Sequence, residues 1–117
     1  MFCNAQTEHR ESKYKERKTW EFEEFWMRDL HEVDWGFVEL TDNTFTAVSS
    51  STVFTFSYAK DASQKGKSVQ TYKCDNILGG YFVATYKNNY PVSFVVYEKE
   101  FNGKTTEIYK FIIKQKK

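Results

Sequence analysis

The chain has 117 residues, enough for one domain with its own core and no need of metal or disulfide staples. Seventeen basic residues stand against sixteen acidic ones, so no whole-molecule field draws in nucleic acid or an anionic bilayer. Aromatic residues make up 19% of the chain, which suits pleated surfaces better than helices, and no apolar run nears the roughly 20 residues of a membrane span.

The chain starts MFCNAQTE. Cys3 and Ala5 are small residues at the −3 and −1 places of a signal-peptidase site before Gln6, although the charged and apolar regions that normally precede such a site are missing. Read as the remnant of an export signal, this points to a secreted or periplasmic protein; a cytoplasmic start is the alternative. Phe2 ahead of Cys3 does not fit a lipid-attachment signal. From Glu8 to Lys18, charges of both signs stand at nearly every position with only Tyr14 apolar, so no face can be buried. Residues 1–18 are therefore expected to form a charged, solvated arm, and residues 19–117 a single β domain.

The next segment, Trp20 to Val33, fits two templates. Phe22, Phe25, Trp26, Leu30 and Val33 recur at helical spacing, while Trp20 and Phe22 alternate with Glu21 and Glu23 as a strand would. A strand is preferred, because β-rich partners follow at once and no helix cap precedes Trp20. Turn signals follow at Asp42–Asn43, Ser49–Ser51, the DASQKGK loop from Asp61, Leu78–Gly80, Asn88–Pro91 and Asn102–Gly103. They divide the chain into strands predicted at 19–27, 35–41, 44–49, 52–59, 68–75, 80–87, 92–100 and 105–114. Asn102–Gly103 is the strongest signal, since both residues tolerate the positive φ of a type I′ hairpin turn. Sequential hairpins imply antiparallel neighbours. The expected fold is all-β, an antiparallel up-and-down meander forming a small barrel, a half-barrel or a sandwich.

The faces can be assigned by alternation. Phe54, Phe56 and Tyr58 share one side of their strand, and Gln70, Tyr72 and Cys74 share one side of the next. The two strands after it break the rule. Phe82, Ala84 and Tyr86 oppose Tyr81, Val83 and Thr85, while Val92, Phe94 and Val96 oppose Val95 and Tyr97, so both sides avoid charge. Such strands need a second cover: an aromatic lid, the 19–33 segment or another subunit, as in a homodimer. In the closing strand Ile108 and Ile112 are read on one side, and Tyr109, Phe111 and Ile113 on the other.

Trp20 near the first strand, a run of hairpins, the Asp42–Asn43 turn, and Asn102–Gly103–Lys104 leading to a final aromatic strand together resemble a short calycin, the lipocalin-like barrel class, over residues 19–117. That class usually carries a Gly two residues before its Trp, where this chain has Lys18. Arg28 or Lys110 would serve as the basic residue packed over the Trp. The resemblance implies a lipocalin-like barrel or half-barrel binding an apolar small molecule, in a barrel small enough to be filled by its own side chains. Phe54, Phe56, Tyr58, Tyr72, Phe82, Tyr86 and Phe94 are the residues expected to line such a pocket, or else to form plain core.

Catalytic constellations are poorly represented. His9 and His31 are the two histidines, so neither a three-histidine metal site nor a Ser-His-Asp set has a source. His31, Glu32 and Asp34 form the best local metal-ligand cluster, and on a connecting loop they read more simply as solvent-facing residues. Glu21 and Glu23 share one side of a strand, as paired acids in a glycosidase would, but so do the charges of any exposed strand. Cys3 and Cys74 cannot make a disulfide framework, and Cys74 reads as a small buried hydrophobe. The expectation is a non-enzymatic binding domain with no metal and no cofactor. Its candidate partners are an apolar small molecule or, alternatively, a protein bound by an aromatic sheet face in the manner of an immunity or inhibitor protein. A third reading makes Tyr72, Tyr81, Tyr86 and Tyr97 a stacking platform for single-stranded nucleic acid, flanked by Lys73, Lys87 and Lys99. It is disfavoured, because Glu98, Glu100 and Glu107 dilute the positive field.

Overall fold

The ambiguous stretch from Trp20 to Val33 is two strands joined by a turn, and one extra residue accounts for the three-residue spacing of Phe22 and Phe25. The computed structural model describes residues 17–33, 35–50, 52–58, 64–65, 68–75, 80–100 and 102–116. Strand β1 (Arg17–Met27) turns through Arg28 and Asp29 into β2 (Leu30–Val33), with Met27 paired to Leu30. On its other side β1 pairs with the closing strand, residues Thr105–Ile113, and there the register slips: Phe22 pairs with Ile113 but Glu24 with Ile112. Glu23 is the extra residue of a β-bulge. Phe22 and Phe25, three apart, consequently both turn inward, with 1% and 2% of their surfaces exposed. A helix would have left the facing strand without hydrogen-bond partners. The strand begins at Arg17, so Arg17 and Lys18 belong to it and not to the charged arm.

The chain continues through β3 (Gly36–Thr41), β4 (Thr44–Ser49), β5 (Val53–Ser57), β6 (Gln64–Lys65), β7 (Val69–Lys73), β8 (Tyr81–Lys87), β9 (Tyr90–Lys99) and β10 (Thr105–Ile113). All pairings are antiparallel, in the order β5-β4-β3-β1-β10-β9-β8-β7-β6, with β2 beside β1. This is the expected all-β meander, rolled back on itself because the first and last strands pair. The ladder does not close. Its two margins meet at an isolated bridge between Tyr58 and Cys74, where the Asp75 N–H donates to the Ser57 carbonyl at 2.8 Å. The result is a half-barrel with a seam between β5 and β7. Short strands β2 and β6 add to the expected set, since four- and two-residue ladders leave too little alternation to read.

Turn chemistry agrees at one hairpin and differs at another. Asn88 and Asn89 both take positive φ, 54° and 66°, in the two-residue turn between Lys87 and Tyr90, as a type I′ hairpin requires. At Asn102–Gly103 only Gly103 does, at 86°. The Gly103 N–H donates to the Glu100 carbonyl at 2.9 Å and the Glu100 N–H to the Lys104 carbonyl at 2.7 Å. That pattern is a three-residue loop with a left-handed glycine at its end, so the type I′ expectation is corrected: the loop is a residue longer than a type I′ turn spans. At Asp42–Asn43 the Thr41 hydroxyl caps the turn, accepting from the Thr44 N–H at 2.9 Å.

The concave side is a core of interlocking rings. Phe22, Phe45, Phe82, Phe94, Phe111, Ile113, Val38 and Val96 are each fully buried. Phe25 lies flat on Phe111, with ring centroids 4.7 Å apart and planes 6° apart. Gly36 is needed where β3 crosses over Phe22, because a Cβ there would lie 2.3 Å from the Phe22 Cζ and 2.4 Å from the Val48 backbone oxygen. A second bulge, between Glu107 and Tyr109 in the β9–β10 pairing, corrects the face assignment of the closing strand. It turns Ile108 into the core beside Phe111 and Ile113, while Ile112 stays half-exposed.

Candidate functional site

The residues expected to line a pocket do converge, and they pack against one another on the concave side. Phe56, Tyr58, Tyr72, Phe82 and Phe94 are buried, and Phe54 and Tyr86 pack against them partly buried. Phe45, a residue outside that expected set, sits at its centre, 4.8 Å from the Phe82 ring centroid and 5.0 Å from that of Phe94. The alternation of Phe45 and Ala47 with Thr44 and Thr46 is the sequence signal that marks it. Tyr72 stacks on Phe82 at 4.7 Å, and Tyr58 meets Phe82 edge-on at 5.5 Å. The polar tips are satisfied: the Tyr58 hydroxyl donates to the Thr41 carbonyl, and the Tyr72 hydroxyl to the Gln70 side-chain oxygen. Rings at these separations are in van der Waals contact and behave as packed core.

The convex side answers what covers the second face of β8 and β9. Among the described residues no helix and no second layer lies over it. Registers across β7, β8, β9, β10 and β1 align three outward rows. One runs Lys73, Tyr81, Tyr97 and Glu107; the next Thr71, Val83, Val95, Lys110 and Trp26; the third Val69, Thr85, Ser93, Ile112 and Glu24. These side chains shield one another, so most are half-buried, and Val69 at the margin is 46% exposed. Tyr81 and Tyr97 stack across the strands with centroids 5.1 Å apart. Burial beneath its neighbours, the Glu107 carboxylate and Tyr81 together hold the Tyr97 phenol above its ordinary pKa. Five strands at about 4.8 Å spacing make this face roughly 19 Å wide.

That geometry divides the proposed stacking platform. Tyr81 and Tyr97 are on the convex side, whereas Tyr72 is buried and Tyr86 packs against the core on the concave side. The four tyrosines resemble one surface only while the strand faces are left unassigned.

Where the convex face meets the β1–β2 turn, two cavities open side by side. One, of about 240 Å³, is lined by Trp26, Arg28, Asp29, Glu107 and Lys110. The other, of about 440 Å³, is lined by Arg28, Asp29, Glu100, Lys104, Thr105, Thr106 and Glu107. Arg28 takes a left-handed backbone, φ 55°, and its N–H donates to the Ile108 carbonyl at 3.0 Å. Its guanidinium reaches Glu98 at 3.1 Å. Arg28 and Lys110, which the lipocalin-like resemblance offered as basic residues packed over Trp20, line a cavity with Trp26 instead, while the Trp20 ring lies 5.8 Å from that of Phe94.

The remaining candidates are dispersed. His31 is exposed on β2 with its ring 5.0 Å from that of Trp26, Glu32 is exposed beside it, and Asp34 lies outside the described residues. Among the described residues no three His, Cys, Asp or Glu side chains cluster to hold a metal ion. Glu21 accepts from the Trp35 indole N–H at 2.9 Å, and Glu23 is the exposed bulge residue. Cys74 is buried and free, its thiol pushed up to about 11 by burial and by Asp75. Cys3 and the export-signal reading lie outside the described residues. No helix among the described residues is long and apolar enough to cross a membrane. Comparison with protein-family models, with curated proteins and with solved structures finds no match to this chain.

Proposed function

We propose that the protein is a non-enzymatic binding domain that engages a protein partner through the convex face of β7–β10. The observation that carries this reading is the outward Tyr81–Tyr97 stack continued by Val83, Val95 and Ile112, with charge at its edges in Lys73, Glu107 and Lys110. Rigid aromatics within an apolar centre and a charged rim are the composition of interface cores, because tyrosine contributes large contact area for little lost side-chain freedom. The same residues on strands that bound nothing would lower solubility with no compensating gain. An apolar small molecule in the half-barrel is less favoured, since Phe45, Phe82 and Phe94 already pack there and would have to move. Single-stranded nucleic acid is less favoured as well, with two stacking rings on the outer face and carboxylates beside them.

Native mass spectrometry of the protein purified from its natural source tests the reading. A stoichiometric complex with another polypeptide, lost in a Val83→Asp variant that remains folded, is expected. A co-purified lipid-like molecule retained by that variant would replace this function with the small-molecule one. Retention on single-stranded DNA that falls with salt would favour the third reading.

A further inference from the structure

Beyond protein binding, and at a site that shares Glu107 and Lys110 with the rim of that face, we infer that the paired cavities beside the β1–β2 turn form a groove for a short, uncharged oligosaccharide. Trp26 supplies the flat apolar wall. Its position is fixed from two sides, since its indole N–H donates to the Glu24 carboxylate at 2.8 Å and its ring lies 5.0 Å from that of His31. An immobilised indole loses little freedom when a ligand stacks on it, and one face of a pyranose ring presents C–H groups suited to such contact.

The polar lining alternates in sign. Arg28, Lys104 and Lys110 stand among Asp29, Glu100 and Glu107. A polyphosphate would meet three carboxylates, a polycation would meet three basic groups, and an apolar molecule would leave all six desolvated. Hydroxyl groups suit both signs, because each one donates to a carboxylate while accepting from an ammonium or guanidinium. Among the described residues Asp29, Glu107 and Lys110 have no side-chain hydrogen bond or ion pair, so these groups are available to a ligand. The two cavities share Arg28, Asp29 and Glu107, which makes the groove elongated and open to solvent, a shape for several linked rings and not for one enclosed sugar. Arg28 adds a further indication. Its left-handed φ is one that glycine or asparagine adopts at less cost, yet an arginine is held there with its guanidinium at the groove by Glu98.

The test is a nuclear magnetic resonance titration of the full chain with cellohexaose, chitohexaose and maltohexaose, followed by backbone amides and the Trp26 indole. At least one of the three is expected to shift the signals of Trp26, Arg28, Asp29 and the Lys104–Lys110 segment. Trp26→Ala and Glu107→Gln are each expected to weaken that binding at least about tenfold while the other signals stay dispersed. Val83→Asp, at a residue that lines neither cavity, is expected to leave sugar binding unchanged while removing the protein partner, which distinguishes the two binding events. Absence of shifts with all three sugars at about 10 mM, shifts confined to other residues, or preferential binding of zwitterionic trialanine in the groove would each overturn the inference.

Discussion

Replacing Phe45 by alanine tests directly whether the concave side is core or container. The ring is fully buried and has four aromatic neighbours, Phe82, Phe94, Phe111 and Phe56, at centroid distances of 4.8, 5.0, 6.0 and 6.2 Å. Deleting a buried Phe side chain costs about 3–5 kcal/mol, and aromatic pairs of this kind contribute about 0.5–1.5 kcal/mol each beyond burial, which puts Phe45→Ala at the upper end of that range. A chain of this length has roughly 6–18 kcal/mol of total stability, so the variant should stay folded but lose a substantial share. Urea unfolding followed by tryptophan fluorescence would show a midpoint lower by about 2 M, with Phe45→Leu falling by about 1.5 kcal/mol or less as the milder companion. The emptied space is apolar and should take up a benzene-sized probe that the unaltered protein excludes. A loss below about 1 kcal/mol, or equal uptake of the probe by the unaltered protein, would refute the view that these rings leave no room.

Two glycines should behave differently for separable reasons. Gly36→Ala drives a methyl group into Phe22 and the Val48 carbonyl and is expected to cost about 3 kcal/mol, partly recovered by Phe22→Leu; Gly103→Ala meets nothing within 4 Å and should cost about 1 kcal/mol from its φ of 86°, with no recovery. Thermal melts of the two variants and the double variant check both. The Cys74 thiol titrates near 11 in the fold against 9.0 ordinarily. Because the unfolded chain then ionises first, stability is intact below about pH 9, falls as pH rises toward 11 and levels beyond it; Cys74→Ala should flatten that slope in unfolding curves. The Tyr97 phenol, held above its usual range, should ionise earlier in Glu107→Gln when followed by ultraviolet difference titration, and an unmoved titration would show that the carboxylate has no influence there.

Strand order and type are readable because turn residues punctuate the chain and each strand is rich in aromatic and β-branched residues. Phe54, Phe56 and Tyr58 alternate without interruption, and all three pack inward as alternation requires. The errors cluster at bulges. One extra residue at Glu23 makes Phe22 and Phe25 imitate a helix, and the irregularity before Tyr109 moves Ile108 to the other face. A bulge inverts the parity of everything beyond it and is visible only in the partner strand's register. The groove is illegible for a related reason. Trp26, Arg28 and Asp29 adjoin Glu107 and Lys110 only through the β1–β10 pairing, which spans nearly the whole chain.

That same pairing sets the timetable of folding. Phe22 and Ile113 are neighbours in space yet come from opposite ends of the described chain, so β1 lacks one flank until β10 has left the ribosome. During synthesis the Phe22 and Phe25 rings wait unshielded on an incomplete sheet, in the condition that recruits chaperones and favours aggregation. Completion is therefore late and abrupt: β10, made after every other described strand, is the one that locks β1.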